Sequence, residues 1–311
     1  MVDTKQQWKA WLYLAPCLVL MLIFTVWPIF NTILMAFKEG YNPMYELNPE
    51  FEGWTFGLQN FIDLFAFASA FTNALVNTLL LCVLTVPIST MLALLIAVAL
   101  HSIKPLQKLL QTIFFLPYVT NSIAIGMVFS VMFNIVGTPG TSGANYGVIN
   151  QIFGTETNWI NLGSDKLHNY IVMVIYIVWN ALPFKILVLL GALQGVNKQY
   201  YDAAKVDGTS KTRVFWRITV PLVSPMIVYV VITGFIGGFK EYSSIVGIFG
   251  EKMGAPGQLG HENMNTMVGL IYDVLPSGQY GRASAAALVL FAIILVVTLI
   301  NLQVSKKNTH Y

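Results

Sequence analysis

The sequence predicts an all-helical integral membrane protein, and three observations support this fold class. Apolar residues make up 56% of the 311 residues and charged residues only 10%, with a mean hydropathy of +0.67. Soluble domains carry roughly 25% charged residues. Six apolar runs are each long enough to cross a hydrocarbon layer of about 30 Å as a helix, which takes roughly 20 residues. These runs lack the alternating hydrophobicity of barrel strands, so helices are expected.

The six predicted spans follow one another at residues 11–36, 73–100, 109–135, 168–193, 219–248 and 282–304. The first run is too long for the apolar core of a secretory signal, and no small-residue cleavage site follows it, so we expect it to be retained. A polar outer segment comes next, in which residues 56–61 are expected to form a short interfacial element with aromatic anchors.

Lysines and arginines near the span ends predict the orientation, because cytoplasmic flanks accumulate them. Most of the 17 lysines and arginines fall on the side of the membrane that holds both termini. They are Lys5, Lys9, Lys104, Lys108, Lys198, Lys205, Lys211, Arg213, Arg217, Lys306 and Lys307. Both termini are therefore predicted to be cytoplasmic. The net charge of +3 then reflects topology, and we expect no nucleic-acid partner.

Motifs for catalysis, nucleotide binding and metal binding are absent from the sequence. The stretch closest to a GxxxxGK[ST] phosphate loop, residues 208–212, lacks the second glycine and the preceding strand. The four histidines are scattered through loops and ends, and both cysteines lie within apolar runs. We therefore expect a protein that is not an enzyme by itself, with no catalytic residues, no metal site and no cofactor of its own.

A basic polar stretch, residues 195–225, separates the fourth and fifth apolar runs. Asn197 is suited to cap a short helix there, and Gly208 is suited to end it in the left-handed conformation. Thr209 and Ser210 can then cap a second helix. An exposed, capped loop of this kind is suited to docking a soluble partner.

The first of these two helices carries a specific pattern. It consists of Asp202, Ala203, Ala204, Lys205, Val206, Asp207 and Gly208, followed by Phe215, Ile218, Pro221 and Pro225. The pattern resembles the EAA loop of the membrane permease subunits of binding-protein-dependent ABC importers. Together with residues 179–184, it is most similar to the carbohydrate-uptake branch, the maltose, multiple-sugar and glycerol-phosphate permeases. Asp202 departs from the glutamate usual in the family by one methylene.

The resemblance implies the type I permease fold of ABC importers in a bacterial-type inner or plasma membrane. Residues 1–70 would form an added N-terminal helix with an extracytoplasmic segment. Residues 71–304 would form the permease core, with a cytoplasmic coupling loop at 195–218, and 305–311 a cytoplasmic tail. The same resemblance implies a second homologous permease in a heterodimer, a dimer of cytoplasmic ABC ATPases that use ATP and Mg²⁺, and an extracytoplasmic solute-binding protein.

Coupling to the ATPase would pass through the short helix of the loop. The residues implied by the resemblance are Tyr201, Asp202, Ala203, Ala204, Val206, Asp207, Gly208 and Phe215. Asp202 is expected near the helix start, where a carboxylate suits the helix dipole. The structural alternative is an ordinary capped loop without a partner.

Polar and ionisable residues inside the apolar runs indicate a substrate pathway, since a charge at mid-membrane is costly. The candidates are Asn180, Lys185, Lys240, Glu241, Tyr242 and Ser243. The structural alternatives are an ion pair between Lys185 and Glu241, or a lysine that snorkels to the interface. Gly234 and Gly238 are spaced to allow close helix packing or local unwinding.

The expected function is therefore that of a permease subunit in an ATP-driven carbohydrate importer, with an oligosaccharide as cargo. The outer loops at 136–166 and 249–281 are expected to face the binding protein or to be passive connectors. One alternative is an ATPase-independent secondary transporter or channel, which would leave the coupling loop unexplained. Another is a permease for phosphate or amino acids, against which residues 179–184 and the added first helix argue.

Overall fold

The computed structural model of the chain describes residues 7–44, 53–66, 68–103, 107–137, 141, 143–161, 163–250 and 264–308. The chain divides into two compact units, one formed by Met1–Ala68 with Leu270–Leu290 and the other by Ser69–Gly269 with Phe291–Tyr311. Two of the lysines used to predict the orientation, Lys5 and Lys104, lie outside the described residues, as do residues 251–263 of the outer loop at 249–281.

Helices dominate the described residues. The first unit contains α1 (Gln7–Met21), α2 (Trp27–Phe37) and α3 (Gln59–Ala66). The second unit contains α4 (Ala68–Ser102), which starts at its boundary, then α5 (Gln107–Val119), α6 (Ser122–Phe133), α7 (Val148–Phe153) and α8 (Lys166–Gln194). It continues with α9 (Lys198–Val206), α10 (Lys211–Val214), α11 (Val220–Phe239) and α12 (Ser243–Phe249). The helices α13 (Met267–Val274) and α14 (Tyr280–Asn308) each have residues in both units, and β1 (Ile135–Val136) pairs antiparallel with β2 (Asn145–Tyr146).

Five described helices are long and apolar enough to cross a membrane. They are Trp8–Phe37, Ala70–Ser102, Lys166–Gln194, Lys211–Phe239 and Tyr280–Ser305. Leu109–Val119 and Ser122–Phe133 make a sixth span if the two are counted as one broken helix. The prediction of an all-helical, multi-pass membrane protein is confirmed, and the cytoplasmic placement of the termini stays a prediction.

The third and fifth predicted spans, 109–135 and 219–248, are not continuous helices, which corrects the sequence prediction. The axes of α5 and α6 differ by 96°. Asn121 begins the new direction, because its side-chain oxygen accepts hydrogen bonds from the backbone N–H of Ile123 (2.9 Å) and Ala124 (3.2 Å). α11 ends at Phe239, and the chain turns before α12 begins at Ser243. Hydropathy cannot detect such breaks, because a bent and a straight helix of the same composition are equally apolar.

The two half-helices that follow these breaks, α6 and α12, pack directly on each other through glycine. A Cβ atom at Gly126 would lie 2.7 Å from the Cα of Gly247, and one at Gly247 would lie 2.9 Å from the Ile123 carbonyl oxygen. Small residues let membrane helices approach closely, and packing then holds them together where lipid provides no hydrophobic driving force. The two half-helices therefore form one closely packed pair.

Residues 264–266, which immediately precede α13, are buried in the second unit. The Asn77 side chain donates to the Asn265 carbonyl oxygen at 2.8 Å, and Thr78 accepts from the Met267 N–H at 3.0 Å. Thr266 donates to the carbonyl oxygen of Glu241 at 2.9 Å. A carbonyl freed by the break after α11 thus receives a partner, as a buried backbone group requires.

Candidate functional site

The polar loop after α8 folds into the two capped helices that the sequence predicts. Asn197 accepts a hydrogen bond from the Gln199 N–H at 3.0 Å and so begins α9. At its end Gly208 has φ of +63°, its N–H bonds the Lys205 carbonyl at 3.1 Å, and the next N–H bonds the Ala204 carbonyl at 2.9 Å. These two backbone hydrogen bonds together form a Schellman motif. It makes the turn between α9 and α10 a defined structure.

The helix α9 has one face on its own chain and one face free of it. Ala204 is buried, and the Tyr201 hydroxyl lies 3.3 Å from the Thr219 hydroxyl. With 100° per residue, the opposite face carries Asp202, Ala203 and Val206. All three are exposed, and the Val206 side chain is 88% exposed. Val206 is the last residue of α9, so the exposed face ends in an apolar side chain.

Asp202 does not lie where the sequence prediction placed it. It is the fifth residue of α9 and stands past the first turn, where the helix dipole has little effect. Its carboxylate lies 3.8 Å from the Lys205 ammonium, and both side chains are exposed. Such a surface pair contributes little stability, so the carboxylate is available to a partner cation.

The loop continues into the membrane helix without an interruption. Lys211–Phe239 is one helix of 29 residues in which a π-helical turn, Phe215–Thr219, joins α10 to α11. Phe215 packs on the apolar cluster formed by α4, α8 and α11, which includes Leu94, Leu189 and Val223. The turn after α9 therefore leads directly into a continuous helix whose Phe215 ring is packed against its neighbours.

Two cavities lie side by side in the second unit and share Asn180, Ala181 and Gly234 as walls. The larger one, of about 360 Å³, opens at the break between α5 and α6. Its remaining lining residues are Pro117, Tyr118, Thr120, Ser122, Phe184 and Thr233. Among the residues that the structure describes, no Asp, Glu, Lys, Arg or His lines this cavity. We call it the break cavity.

The smaller cavity, of about 210 Å³, contains both Lys185 and Glu241, but they do not form the ion pair that the sequence analysis considered. Lys185 is 4% exposed, and its Nζ donates to the Ser89 hydroxyl (2.7 Å), the Thr90 hydroxyl (2.9 Å) and the Val86 carbonyl (3.2 Å). These three acceptors use all three donors of an ammonium group. Lys185 thus joins α8 to α4.

Room for this lysine comes from Gly234, where a Cβ atom would lie 3.2 Å from Nζ. At Gly238 a Cβ atom would lie 2.9 Å from the Cys82 sulfur. The two glycines therefore serve close packing, one of the two roles that the sequence analysis gave them.

Glu241 also has a partner within its own chain. Its Oε1 accepts the backbone N–H of Ser244 at 3.1 Å, which places the carboxylate at the first turn of α12. Negative charge is favoured at a helix N-terminus, because the first N–H groups of a helix lack intrahelical partners. The side chain therefore stabilises the break between α11 and α12.

The structure brings Asn180, Lys185 and Glu241 together and places the other three pathway candidates elsewhere. Lys240 is exposed and caps the C-terminus of α11, while Tyr242 precedes α12 and Ser243 is its first residue. None of the three lines either cavity. Sequence reasoning missed the hydroxyl groups around the α5–α6 break. The signal for them was Pro117 followed by the capping residue Asn121, inside a run that otherwise reads as a continuous span.

Comparison with known proteins identifies what this arrangement is similar to. A family model described as "Binding-protein-dependent transport system inner membrane component" matches residues 86–310. A probable ABC transporter permease protein of Mycoplasma genitalium is 30% identical over 92% of this chain and 82% of its own length. The arabinooligosaccharides transport system permease protein AraP of Bacillus subtilis is 29% identical over 95% of this chain and 88% of its own. The lactose transport system permease protein LacF of Rhizobium radiobacter is 27% identical over 94% of this chain and 91% of its own.

The fold has a counterpart among solved structures. A chain of a bacterial ABC transporter involved in the import of the acidic polysaccharide alginate superposes with a TM-score of 0.78. The match covers 99% of this chain and 98% of that one, at 22% sequence identity. At this identity the match establishes the architecture alone.

Proposed function

Because the chain belongs to the family of inner membrane components of binding-protein-dependent transport systems, it is a multi-pass permease subunit of an ABC importer, and we propose that its cargo is a neutral oligosaccharide. Relatives over nearly the whole chain are named for arabinooligosaccharides and lactose. The observation that carries the proposal is the break cavity, whose described walls offer hydroxyl, amide and aromatic groups without a charged side chain.

The chemistry of these walls suits a saccharide. Thr120, Ser122 and Thr233 carry hydroxyl groups that both donate and accept, as sugar hydroxyls do, and Asn180 adds an amide. The Tyr118 ring is 53% exposed and stacks against Phe184 with ring centroids 6.0 Å apart. Aromatic faces of this kind bury large apolar area and suit the C–H face of a sugar ring. Lys185 and Glu241 play structural roles next to the cargo in this proposal.

The partners in this proposal are a second homologous permease, a dimer of ATPases and a solute-binding protein. The residues at 195–218 form the cytoplasmic coupling loop of a core at 71–304, with 1–70 as the added helix and outer segment and 305–311 as the tail. α9 seats its outward face, Asp202, Ala203 and Val206, in a cleft of one ATPase. ATP and Mg²⁺ bind to the ATPases, and the outer loops at 136–166 and 249–281 face the binding protein.

Coupling in this proposal is mechanical. Closure of the ATPases displaces α9, and the Schellman turn and the Phe215 contact carry the displacement into α11. The glycine contact between Gly126 and Gly247 makes α6 follow α12, so the break cavity opens toward alternate sides. The residues of the loop transmit force, and those of the cavity select the cargo.

The test is transport in proteoliposomes that hold this chain with its partner permease, ATPase and binding protein. We expect ATP-dependent uptake of a labelled neutral oligosaccharide and none of a uronic-acid oligosaccharide of equal length. Tyr118→Ala should raise KM about fivefold, since an aromatic contact is worth roughly 1 kcal/mol. Its neighbour Val119, which is 74% exposed and does not line the cavity, offers a matched control in Val119→Ala.

Two results would contradict separate parts of the proposal. Equal uptake of the charged oligosaccharide would refute the neutral cargo but leave the importer mechanism intact. Uptake that continues without the ATPase would refute the coupling mechanism.

A further inference from the structure

The first unit contains a polar cavity of about 320 Å³ where two membrane helices end. The apolar helix Trp8–Phe37 stops just before it, and Tyr280–Ser305 begins beside it. The side chains that matter here are Tyr41, Asn42, Asn60, Asp63, Gln279 and Arg282. Because the ends of spanning helices lie near the membrane surface, this cavity lies at the depth of lipid headgroups.

The cavity wall is held by a buried asparagine. Asn60 is 4% exposed, and its Nδ2 donates to the carbonyl oxygens of Ala36 (3.0 Å) and Lys38 (2.7 Å). These carbonyls belong to the last turn of α2 and the residue after it, so the bonds fill acceptors that the helix end leaves open. A Cβ atom at Gly281 would lie 2.6 Å from Asn60 Nδ2, so only glycine lets α14 approach here.

Side chains of both charges line this cavity. Asp63 Oδ2 and Arg282 Nη2 are 3.6 Å apart, and Asp63 Oδ1 accepts from Gln59 Nε2 at 2.7 Å. The Asp63 side chain is 37% exposed and that of Arg282 is 19% exposed. The ring of Tyr41 adds an aromatic wall and lies 5.0 Å, between centroids, from the ring of Trp54. A molecule in the cavity meets a carboxylate and a guanidinium together.

The helix α3 that carries Asp63 has an apolar face exposed along its length. Leu58 just before the helix, Ile62 and Phe65 are 59%, 57% and 54% exposed, and at 100° per residue they share a face opposite Asn60 and Leu64. Asp63 lies at the edge between these two faces. Amphipathic helices of this pattern lie in the membrane interface with the apolar face toward the acyl chains.

We propose that this cavity binds the headgroup of a zwitterionic phospholipid. The phosphate is bound by the Arg282 guanidinium, whose planar donors match phosphate geometry. The headgroup amine lies against the Asp63 carboxylate, which attracts a cation. The Tyr41 ring is already in contact with the Lys38 ammonium, 4.9 Å from its centroid, and serves as an apolar wall. The acyl chains run along the exposed face of α3. An anionic lipid without an amine would bind more weakly, because its phosphate would face the Asp63 carboxylate. A neutral saccharide would form an ion pair with neither Asp63 nor Arg282.

The experiment measures lipid binding to the purified importer complex in detergent, independently of transport. The probes are short-chain phosphatidylethanolamine, short-chain phosphatidylglycerol and a neutral trisaccharide, with native mass spectrometry and thermal unfolding as readouts. We expect phosphatidylethanolamine to bind the native protein at least about tenfold more tightly than phosphatidylglycerol, from one charge-assisted contact.

Three variants of the complex separate the two charges. Asp63→Asn should weaken phosphatidylethanolamine about tenfold and improve phosphatidylglycerol, because a cation alone remains. Arg282→Gln should weaken both lipids. Glu156→Gln, at an exposed carboxylate remote in sequence from the cavity, should bind as the native protein does.

The proposal is overturned if the native protein binds both lipids equally, a comparison that needs no variant. It is also overturned if the Asp63 and Arg282 variants leave the lipid preference unchanged. Stabilisation by the trisaccharide that Asp63→Asn or Arg282→Gln abolishes, without any stabilisation by phosphatidylethanolamine, would overturn it in favour of a saccharide site in this cavity.

Discussion

Substitutions at Val206, on the outward face of α9, test most directly whether this helix contacts the ATPase. The side chain is 88% exposed in this chain, and the contacts of α9 with its own chain come from Tyr201 and Ala204 on the opposite face. Exposed positions without special contacts change folding stability by about 0.5 kcal/mol or less on substitution. A change in ATPase binding at this residue therefore reports on the interface itself.

The expected magnitude follows from the area that docking would bury. Full burial of a valine side chain contributes roughly 1.5 kcal/mol at the lower end of the usual range. This corresponds to about tenfold in Kd. Val206→Thr keeps the shape and replaces a methyl with a hydroxyl, so it should lose about that factor. Val206→Asp should lose more, because a carboxylate would also be desolvated. Val206→Ile keeps the apolar contact and is the matched control.

The assay is the Kd between the purified ATPase and the permease pair in lipid nanodiscs, followed by ATP-dependent uptake in proteoliposomes. The order of affinity should be isoleucine and valine first, then threonine, then aspartate, and uptake should fall in the same order. An aspartate variant that binds the ATPase with native affinity and transports normally would refute the assignment of α9 as the coupling helix.

Three further predictions concern the membrane helices and the turn after α9. Gly126→Ala should destabilise the protein by about 1–3 kcal/mol, since the new Cβ would overlap Gly247. The control is Gly237→Ala, whose new Cβ would have no atom within 4 Å. Thermal unfolding of both variants measures the difference in stability. Lys185→Met should keep uptake of a neutral oligosaccharide within about twofold, because the Ser89 and Thr90 hydroxyls still donate to carbonyl oxygens of their own helix when the ammonium is removed. Loss of uptake with a folded protein would instead assign Lys185 to cargo binding. Gly208→Ala should weaken ATPase binding about fivefold, because an alanine at φ of +63° strains the turn by roughly 1 kcal/mol. Gly208→Asn should bind the ATPase with nearly native affinity, since asparagine tolerates this conformation. Equal binding by both variants would show that the conformation of the turn does not affect ATPase binding.

The two capped helices of the polar loop at 195–218 were predictable from the sequence because their structure is local. Asn197 caps α9 through a bond to a residue two positions away, and Gly208 turns the chain through bonds that span five residues at most. Such contacts depend on residue types at fixed spacing, so a pattern in the sequence is enough to predict them. The exposure of Val206 was not predictable, because it depends on which face of α9 packs on Thr219.

The pathway residues were only partly predictable. A charge in an apolar run indicates that the side chain requires a polar partner, but the sequence does not show which residue that partner is. The sequence analysis selected Lys185 and Glu241 because a charge inside the membrane carries a high free-energy cost, and both residues line one cavity. Their partners, however, are Ser89 and Thr90 for the lysine and the first turn of α12 for the glutamate. The break cavity was missed, since the hydroxyl residues around Asn121 become neighbours only after the chain bends.

By itself the sequence determined the membrane location, the helical class, the number of apolar runs and the capped loop between the fourth and fifth of them. These properties depend on composition and on hydrogen bonds between residues a few positions apart. Tertiary structure alone decided where two spans break, which glycines touch and which charges are already satisfied. The reason is physical: the Ser89 hydroxyl that binds Lys185 lies 96 residues upstream, and no periodicity of one helix specifies which side chain of another helix it will meet.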